Sequence, residues 1–159
     1  MPDVTVRIEG GEQLAAKLRD PQFVKGPLRN FLANAGAVAE LAMKERAPVD
    51  TGRLRASVVT IQSLTRVSVG PTVSYAPFVE FGTRPHWPPR GALQPWARRH
   101  GFPAGPLGDF IVRRAIALRG TKAQPFVVPG IQKALPQIRA LAATLGREIA
   151  VKWGKRGAV

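Results

Sequence analysis

The sequence predicts an α+β fold: a small antiparallel or mixed sheet packed by a long N-terminal helix and a C-terminal helix, with a basic helical insertion. Three observations carry this expectation. Apolar residues recur at helical spacing from Leu28 to Ala42 and again from Ile131 to Ile149, and short alternating stretches lie between them among turn residues. At 159 residues the chain suits one domain over 1–159, with 83–123 as a Pro- and Arg-rich insertion and 152–159 as a flexible basic tail.

Along the chain, Val4, Val6 and Ile8 alternate with polar neighbours and predict a strand over Asp3 to Glu9, closed by Gly10-Gly11. A short helix is expected from Glu12 to Arg19, broken at Asp20-Pro21. Pro27 then opens the main N-terminal helix, in which Leu28, Phe31, Leu32, Ala35, Val38, Ala39 and Ala42 form one stripe before Pro48 bars continuation. That helix has roughly 18 residues and is about 27 Å long. Asp50 stands where an N-cap would, ahead of a helical turn and a strand around Ala56 to Leu64. Arg66 to Val69 is the expected partner strand, joined through Leu64-Thr65. Tyr75 to Phe81 is read either as extended chain or as a helical turn in which Phe78, Val79 and Phe81 pack and Glu80 stands by itself.

Within the insertion, Ala92, Leu93, Trp96 and Ala97 predict one short helix ending near Gly101. Phe110, Ile111, Ala115 and Leu118 predict a second ending at Gly120. From Pro129 a long helix carries Ile131, Leu135, Ile138, Leu141, Ala142, Leu145 and Ile149 in phase through Pro136, where a kink or restart is expected rather than a break.

Composition narrows the chemistry. Hydrophobic residues make up 45% of the chain, as in globular proteins, and no apolar run approaches the roughly 20 residues of a membrane span. The N-terminus lacks the basic-then-apolar order of a secretory signal, so the expected compartment is a cytoplasm until the protein is used. With no cysteine and two histidines, disulfides, thiol catalysis and the usual zinc sites are excluded, and no metal or cofactor is expected. The formal net charge of +14 predicts attraction to polyanions, nucleic acid or an acidic protein surface, and repulsion between copies. An arginine-biased composition, 17 arginines against 7 lysines, is the plainer source of that charge.

Candidate reactive groups are few. Asp50-Thr51-Gly52 is the tripeptide of aspartic protease turns, where two carboxylates share a proton, but here it follows the polar end of a helix and suits a structural turn. Glu80 and His86, with Tyr75 and Arg84 near, make an acid and base set only if they share a face, and an extended reading separates Tyr75 from Glu80. Nucleophile elbows, phosphate loops and dinucleotide fingerprints are absent, so no enzyme is expected and no residue is assigned as catalytic or metal-binding. The best candidate binding surface is the arginine-rich insertion. Arg84, Arg90, Arg98, Arg99, Arg113 and Arg114 there alternate with Trp87, Trp96 and Phe102, which suits DNA phosphates and bases or a protein interface.

Three pieces in order carry a resemblance. Ala47-Pro-Val-Asp-Thr-Gly-Arg-Leu-Arg-Ala-Ser57 follows a helix, Tyr75-Ala-Pro-Phe-Val-Glu-Phe-Gly-Thr83 follows strands, and Gly120-Thr-Lys-Ala-Gln-Pro-Phe-Val-Val-Pro129 precedes the last helix. Together they resemble the neck and tail-completion proteins of tailed bacteriophages, also called head-tail joining or minor tail proteins. The resemblance covers roughly residues 28 to 145. It implies a non-enzymatic α+β virion component, made in the host cytoplasm, that works as a ring, commonly hexameric. Its implied partners are a head-tail connector or stopper on one side and a tail terminator or tube on the other; independently of the family, the positive charge suits nonspecific contact with genomic DNA in such a ring. The motif residues that carry over are Asp50, Thr51, Gly52 and Leu54, then Tyr75, Glu80, Phe81, Gly82 and Thr83, then Pro125 and Phe126. They are implied to shape turns and contacts. The long basic segment from Thr83 to Ala123 departs from the family pattern.

Overall fold

A computed structural model describes residues 21–155 and confirms the α+β class. The expected strand at Asp3–Glu9, the helix at Glu12–Arg19 and the last four residues lie outside the described range. The elements in order are α1 (Pro21–Arg46), α2 (Arg53–Ala56), β1 (Val58–Gln62), β2 (Val67–Pro71), α3 (Ala76–Phe81), α4 (Gln94–Arg99), α5 (Pro106–Arg119) and α6 (Val127–Lys155). The described residues fall into two compact units, one of residues 41–59 and 70–133, the other of 21–40, 60–69 and 134–155.

α1 is longer than the apolar stripe predicts, 26 residues with Pro27 inside rather than at the start. The stripe itself holds: Leu32, Ala35, Ala39 and Ala42 are buried, with Leu28, Phe31 and Val38 half-buried. Met43 adds a side chain that is almost wholly buried. The helix ends at Arg46, two residues before Pro48, a position at which the proline ring disfavours continuation.

β1 and β2 form an antiparallel hairpin around the expected Leu64-Thr65 connection, closed by a 2.8 Å hydrogen bond from the Ser63 N–H to the Arg66 carbonyl. In the unit that includes residues 21–40 and 60–69, α1 is tied to this hairpin by side chains. The Thr60 hydroxyl donates to Glu40 Oε2 at 2.6 Å, and the Gln62 amide donates to the Arg29 carbonyl at 2.9 Å. In the other unit, the hairpin's base continues as a 3.0 Å bond from the Thr72 N–H to the Ser57 carbonyl, and Val58 is fully buried.

α6 runs through Pro136 as one helix of 29 residues and continues to Lys155, into the stretch expected as a tail. Its buried edge differs from the predicted stripe. Phe126, Gly130 and Ala134 are buried at four-residue spacing, whereas Ile131 and Leu135 are 40% and 38% exposed. The cause is close backbone approach. A Cβ on Gly130 would lie 2.8 Å from Met43 Cα and 3.0 Å from Met43 N, so α1 and α6 touch here through a glycine rather than through interdigitated large side chains. An exposed ion pair, Lys133 Nζ to Glu45 Oε2 at 2.5 Å, flanks the contact and holds the Glu45 carboxyl below its usual value.

Two glycines of α6 therefore respond oppositely to alanine. Alanine raises intrinsic helix propensity by up to ~1 kcal/mol at either site. At Gly146, with nothing within 4 Å, Gly146→Ala is expected to stabilise the protein. Gly130→Ala forces two backbones apart and is expected to destabilise by about 2 kcal/mol. Urea unfolding of both variants checks the pair, and a stabilising Gly130→Ala contradicts the packing described.

Candidate functional site

The second and third sequence pieces meet in the unit of residues 41–59 and 70–133, and one carboxylate joins them. Tyr75 to Phe81 is helical, since α3 covers Ala76–Phe81. The expected inward and outward roles are exchanged. Phe78 and Phe81 are 60% and 76% exposed, while Glu80 is buried, 6% exposed. Glu80 Oε2 accepts the N–H groups of Phe126 at 2.7 Å and Val127 at 3.0 Å, and Oε1 accepts that of Val128 at 3.3 Å. Pro129 has no N–H, and the Gly130 N–H bonds to the Phe126 carbonyl at 3.1 Å. Every donor in the first turn of α6 is thus accounted for, and the negative charge sits at the positive end of the helix dipole. Burial pushes the Glu80 carboxyl up, but the bonds from the Val127, Phe126 and Val128 amides outweigh it and hold the group below its usual value.

The same two pieces continue to pair beyond Glu80. The Gln124 N–H donates to the Val79 carbonyl at 2.8 Å, and Thr83 and Thr121 form an antiparallel bridge with N–H to carbonyl distances of 3.1 and 3.2 Å. Their hydroxyls lie 3.0 Å apart. Each threonine follows a glycine with φ of 71°. A Cβ on Gly82 would lie 2.4 Å from the Thr121 carbonyl oxygen, and one on Gly120 would lie 2.0 Å from that of Thr83. Two Gly-Thr dipeptides cross here at a distance that both the positive φ and the missing side chains require. Phe126 is fully buried beside them, Pro125 is exposed, and Tyr75 is 36% exposed at the start of α3.

The first piece connects elsewhere. Leu54 is the buried residue of α2, with Gly52 immediately before that helix and Thr51 exposed. Asp50 does not cap α2, as the sequence predicted; no side-chain cap is made there. Its carboxylate is instead gripped by Arg99, Nε to Oδ1 at 2.9 Å and Nη2 to Oδ2 at 2.5 Å. A rigid, two-pronged guanidinium is a better partner for the carboxylate than the amides of a four-residue helix. The bond to Arg99 holds Asp50 ionised below its usual value, the reverse of a carboxyl poised to share a proton.

Asp109, the lone acid of the insertion, organises it. The carboxylate is buried in the first turn of α5 and accepts the Gly91 N–H at 2.9 Å and the Leu93 N–H at 3.0 Å. Arg113, one turn on, lies 3.7 Å from the same carboxylate, donates to the Pro88 carbonyl at 2.7 Å and stands 5.4 Å over the Trp87 ring. Of the six arginines expected at a binding surface, Arg99 and Arg113 are therefore engaged internally, while Arg84, Arg90, Arg98 and Arg114 are exposed. The histidines are engaged too: His86 Nδ1 lies 2.9 Å from the Arg84 carbonyl, and His100 stacks on Trp96 with ring centroids 3.9 Å apart.

α3, α5, the Thr83–Pro88 segment and residues 120–124 enclose a groove of about 1190 Å³, the feature that the sequence did not disclose. Ile111, Ala115 and Ile116 of α5 line it, opposite Phe78 and Val79 of α3. Their i, i+4, i+5 spacing was the available signal, but helical periodicity reads the same for a core stripe and for an open wall. Among the described residues no group of three or more acidic or histidine side chains could hold a metal, and no helix is long and apolar enough to cross a membrane.

Residues 10–82, a little under half of the chain, match the family described as "Bacteriophage HK97-gp10, putative tail-component". The match contains the first sequence piece and the second as far as Gly82, in agreement with the resemblance to phage neck and tail-completion proteins. The matched family is thus described as one of phage "putative tail-component" proteins. No curated protein and no solved structure matches the chain.

Removing the Glu80 acceptor leaves three amides at the start of α6 without partners, so Glu80→Ala is expected to lose about 3 kcal/mol and Glu80→Gln less. Because the folded value is depressed, Glu80 stabilises the protein at pH above the unfolded carboxylate value, near 4.3, and that contribution disappears as pH falls through the lower folded value. Urea midpoints between pH 6 and pH 3 measure this, and an acid slope identical in Glu80→Gln and the parent contradicts it. Asp109→Ala, which orphans the Gly91 and Leu93 amides, is expected to cost about 2 kcal/mol and to speed proteolysis between Arg90 and Arg99.

Proposed function

We propose that this chain is a non-enzymatic structural protein of a phage virion that completes the tail or neck and joins it to the head, as an oligomeric and commonly hexameric ring around the DNA channel. The match of residues 10–82 to a family of phage tail components carries this reading. It is supported by the disposition of the acids: the oxygens of Glu80 and Asp109 are taken by backbone amides and those of Asp50 by Arg99, so these carboxylates hold the fold rather than offering a base. On this reading the chain passes from host cytoplasm to virion, its partners being a connector or stopper and a tail terminator or tube. A positive lining suits DNA passage, since contacts to phosphate without contacts to bases let the polymer slide.

Negative-stain microscopy and mass photometry, alone and with neck partners, are expected to show closed rings, and mass spectrometry to find the chain in purified virions. A chain that stays monomeric with every partner and is absent from virions overturns the proposal.

The net charge of +14 favours a second reading, nonspecific nucleic-acid binding. It predicts DNA affinity that falls steeply with salt. Because Arg99 and Arg113 have internal partners, the clean test neutralises Arg84, Arg90, Arg98 and Arg114 together. Each arginine that touches phosphate is expected to lower the salt slope by about one, and an unchanged slope removes this surface from DNA binding.

A further inference from the structure

The groove beside α3 and α5 combines an apolar interior with a charged edge. Phe78, Ile111, Ala115 and Ile116 present hydrocarbon, and Phe78 and Ile111 are 60% and 39% exposed. Arg84, Arg119 and Lys122 line the same groove and are exposed, and no carboxylate lines it. We propose that this groove receives an acidic segment of another protein, one that carries large apolar side chains between its carboxylates.

Size, charge and surface chemistry point to that occupant. Small-molecule sites run to roughly 300–1,000 Å³, and a groove of about 1190 Å³ open to solvent is filled by a stretch of polypeptide. Three cations with no carboxylate among the lining residues attract an acidic chain and reject a basic one. DNA satisfies the charge and could stack on Tyr75, Phe78, Trp96 or Phe102, which line the groove too, but its phosphates would leave the aliphatic wall of Ile111, Ala115 and Ile116 uncovered. A second copy of this chain fits poorly. Its net charge is +14, so two copies repel each other. The inference goes beyond the virion role and stands without it, so peptide binding and virion incorporation fail separately.

Selection from a random peptide library against the full chain tests the proposal. Enriched sequences are expected to combine aspartate or glutamate with leucine, phenylalanine or tryptophan, and to bind more weakly as salt rises. Ala115→Trp, which fills the groove from an exposed helix position, and the joint reversal Arg84→Glu, Arg119→Glu, Lys122→Glu are each expected to weaken binding by about tenfold or more, with unchanged helical content by circular dichroism. Should the Ala115 variant misfold, Ile111→Ser reads the same wall. Four results overturn the proposal: no enrichment, enrichment of basic or uncharged peptides, binding indifferent to every variant, or displacement of the peptide by a DNA oligonucleotide. A parent chain that self-associates, and whose mass falls on Ala115→Trp, gives the groove to a second copy and overturns it as well.

Discussion

A single buried carboxylate, Glu80, fixes where the last helix begins. An ionised group taken out of water must recover several kcal/mol of lost hydration, and here three amides and a helix dipole supply it together. Neither partner is stable alone: without the carboxylate the amides of Phe126 to Val128 are orphaned, and without the amides the charge is stranded. The contact lies between residues 46 or more apart in sequence, so it specifies tertiary structure rather than a local turn. The Val79–Gln124 bond and the Thr83–Thr121 bridge continue the register that it sets, and together these place α3 opposite α5 and open the groove between them.

The basic insertion follows the same logic at smaller scale. Asp109 collects two loop amides and one guanidinium, and around that node Arg113, Trp87 and Phe110 stack in turn. Net charge alone treats its arginines as equivalent. The structure sorts them into those that hold backbone carbonyls and acids in place and those that face solvent, a distinction set by which acids and carbonyls come within reach rather than by sequence spacing.

Much of the fold was legible because it rests on local rules. The α1 stripe, the Leu64-Thr65 hairpin, and the stops of α4 and α5 beside Gly101 and Gly120 follow from period, turn chemistry and C-terminal glycines. What escaped the sequence depends on partners distant in the chain. Asp50 looked like a cap because its neighbours suit one, and only the fold brings Arg99 to it. Glu80 looked solitary because its donors are backbone amides, which have no identity in a sequence. The buried edge of α6 was misjudged for a related reason: apolar periodicity favours large residues, and this helix packs by Gly130 and Ala134. The groove was hidden because an amphipathic pattern tells which side of a helix is apolar, not whether that side is covered.

The crossing of Gly82-Thr83 with Gly120-Thr121 has an evolutionary reach. It brings the two ends of the insertion side by side, so whatever chain runs between them is closed by the frame and not by its own contents. Closing a longer segment costs only about 0.6 kcal/mol for each doubling of length. Exchange of the stretch from Arg84 to Arg119 for a loop of another length would therefore cost little in closure, and its real cost would be the Arg99–Asp50 pair and the buried Ala97 and Val112. Chain closure thus leaves the length of this stretch free, while the contacts made by Arg99, Asp109 and Arg113 hold its sequence.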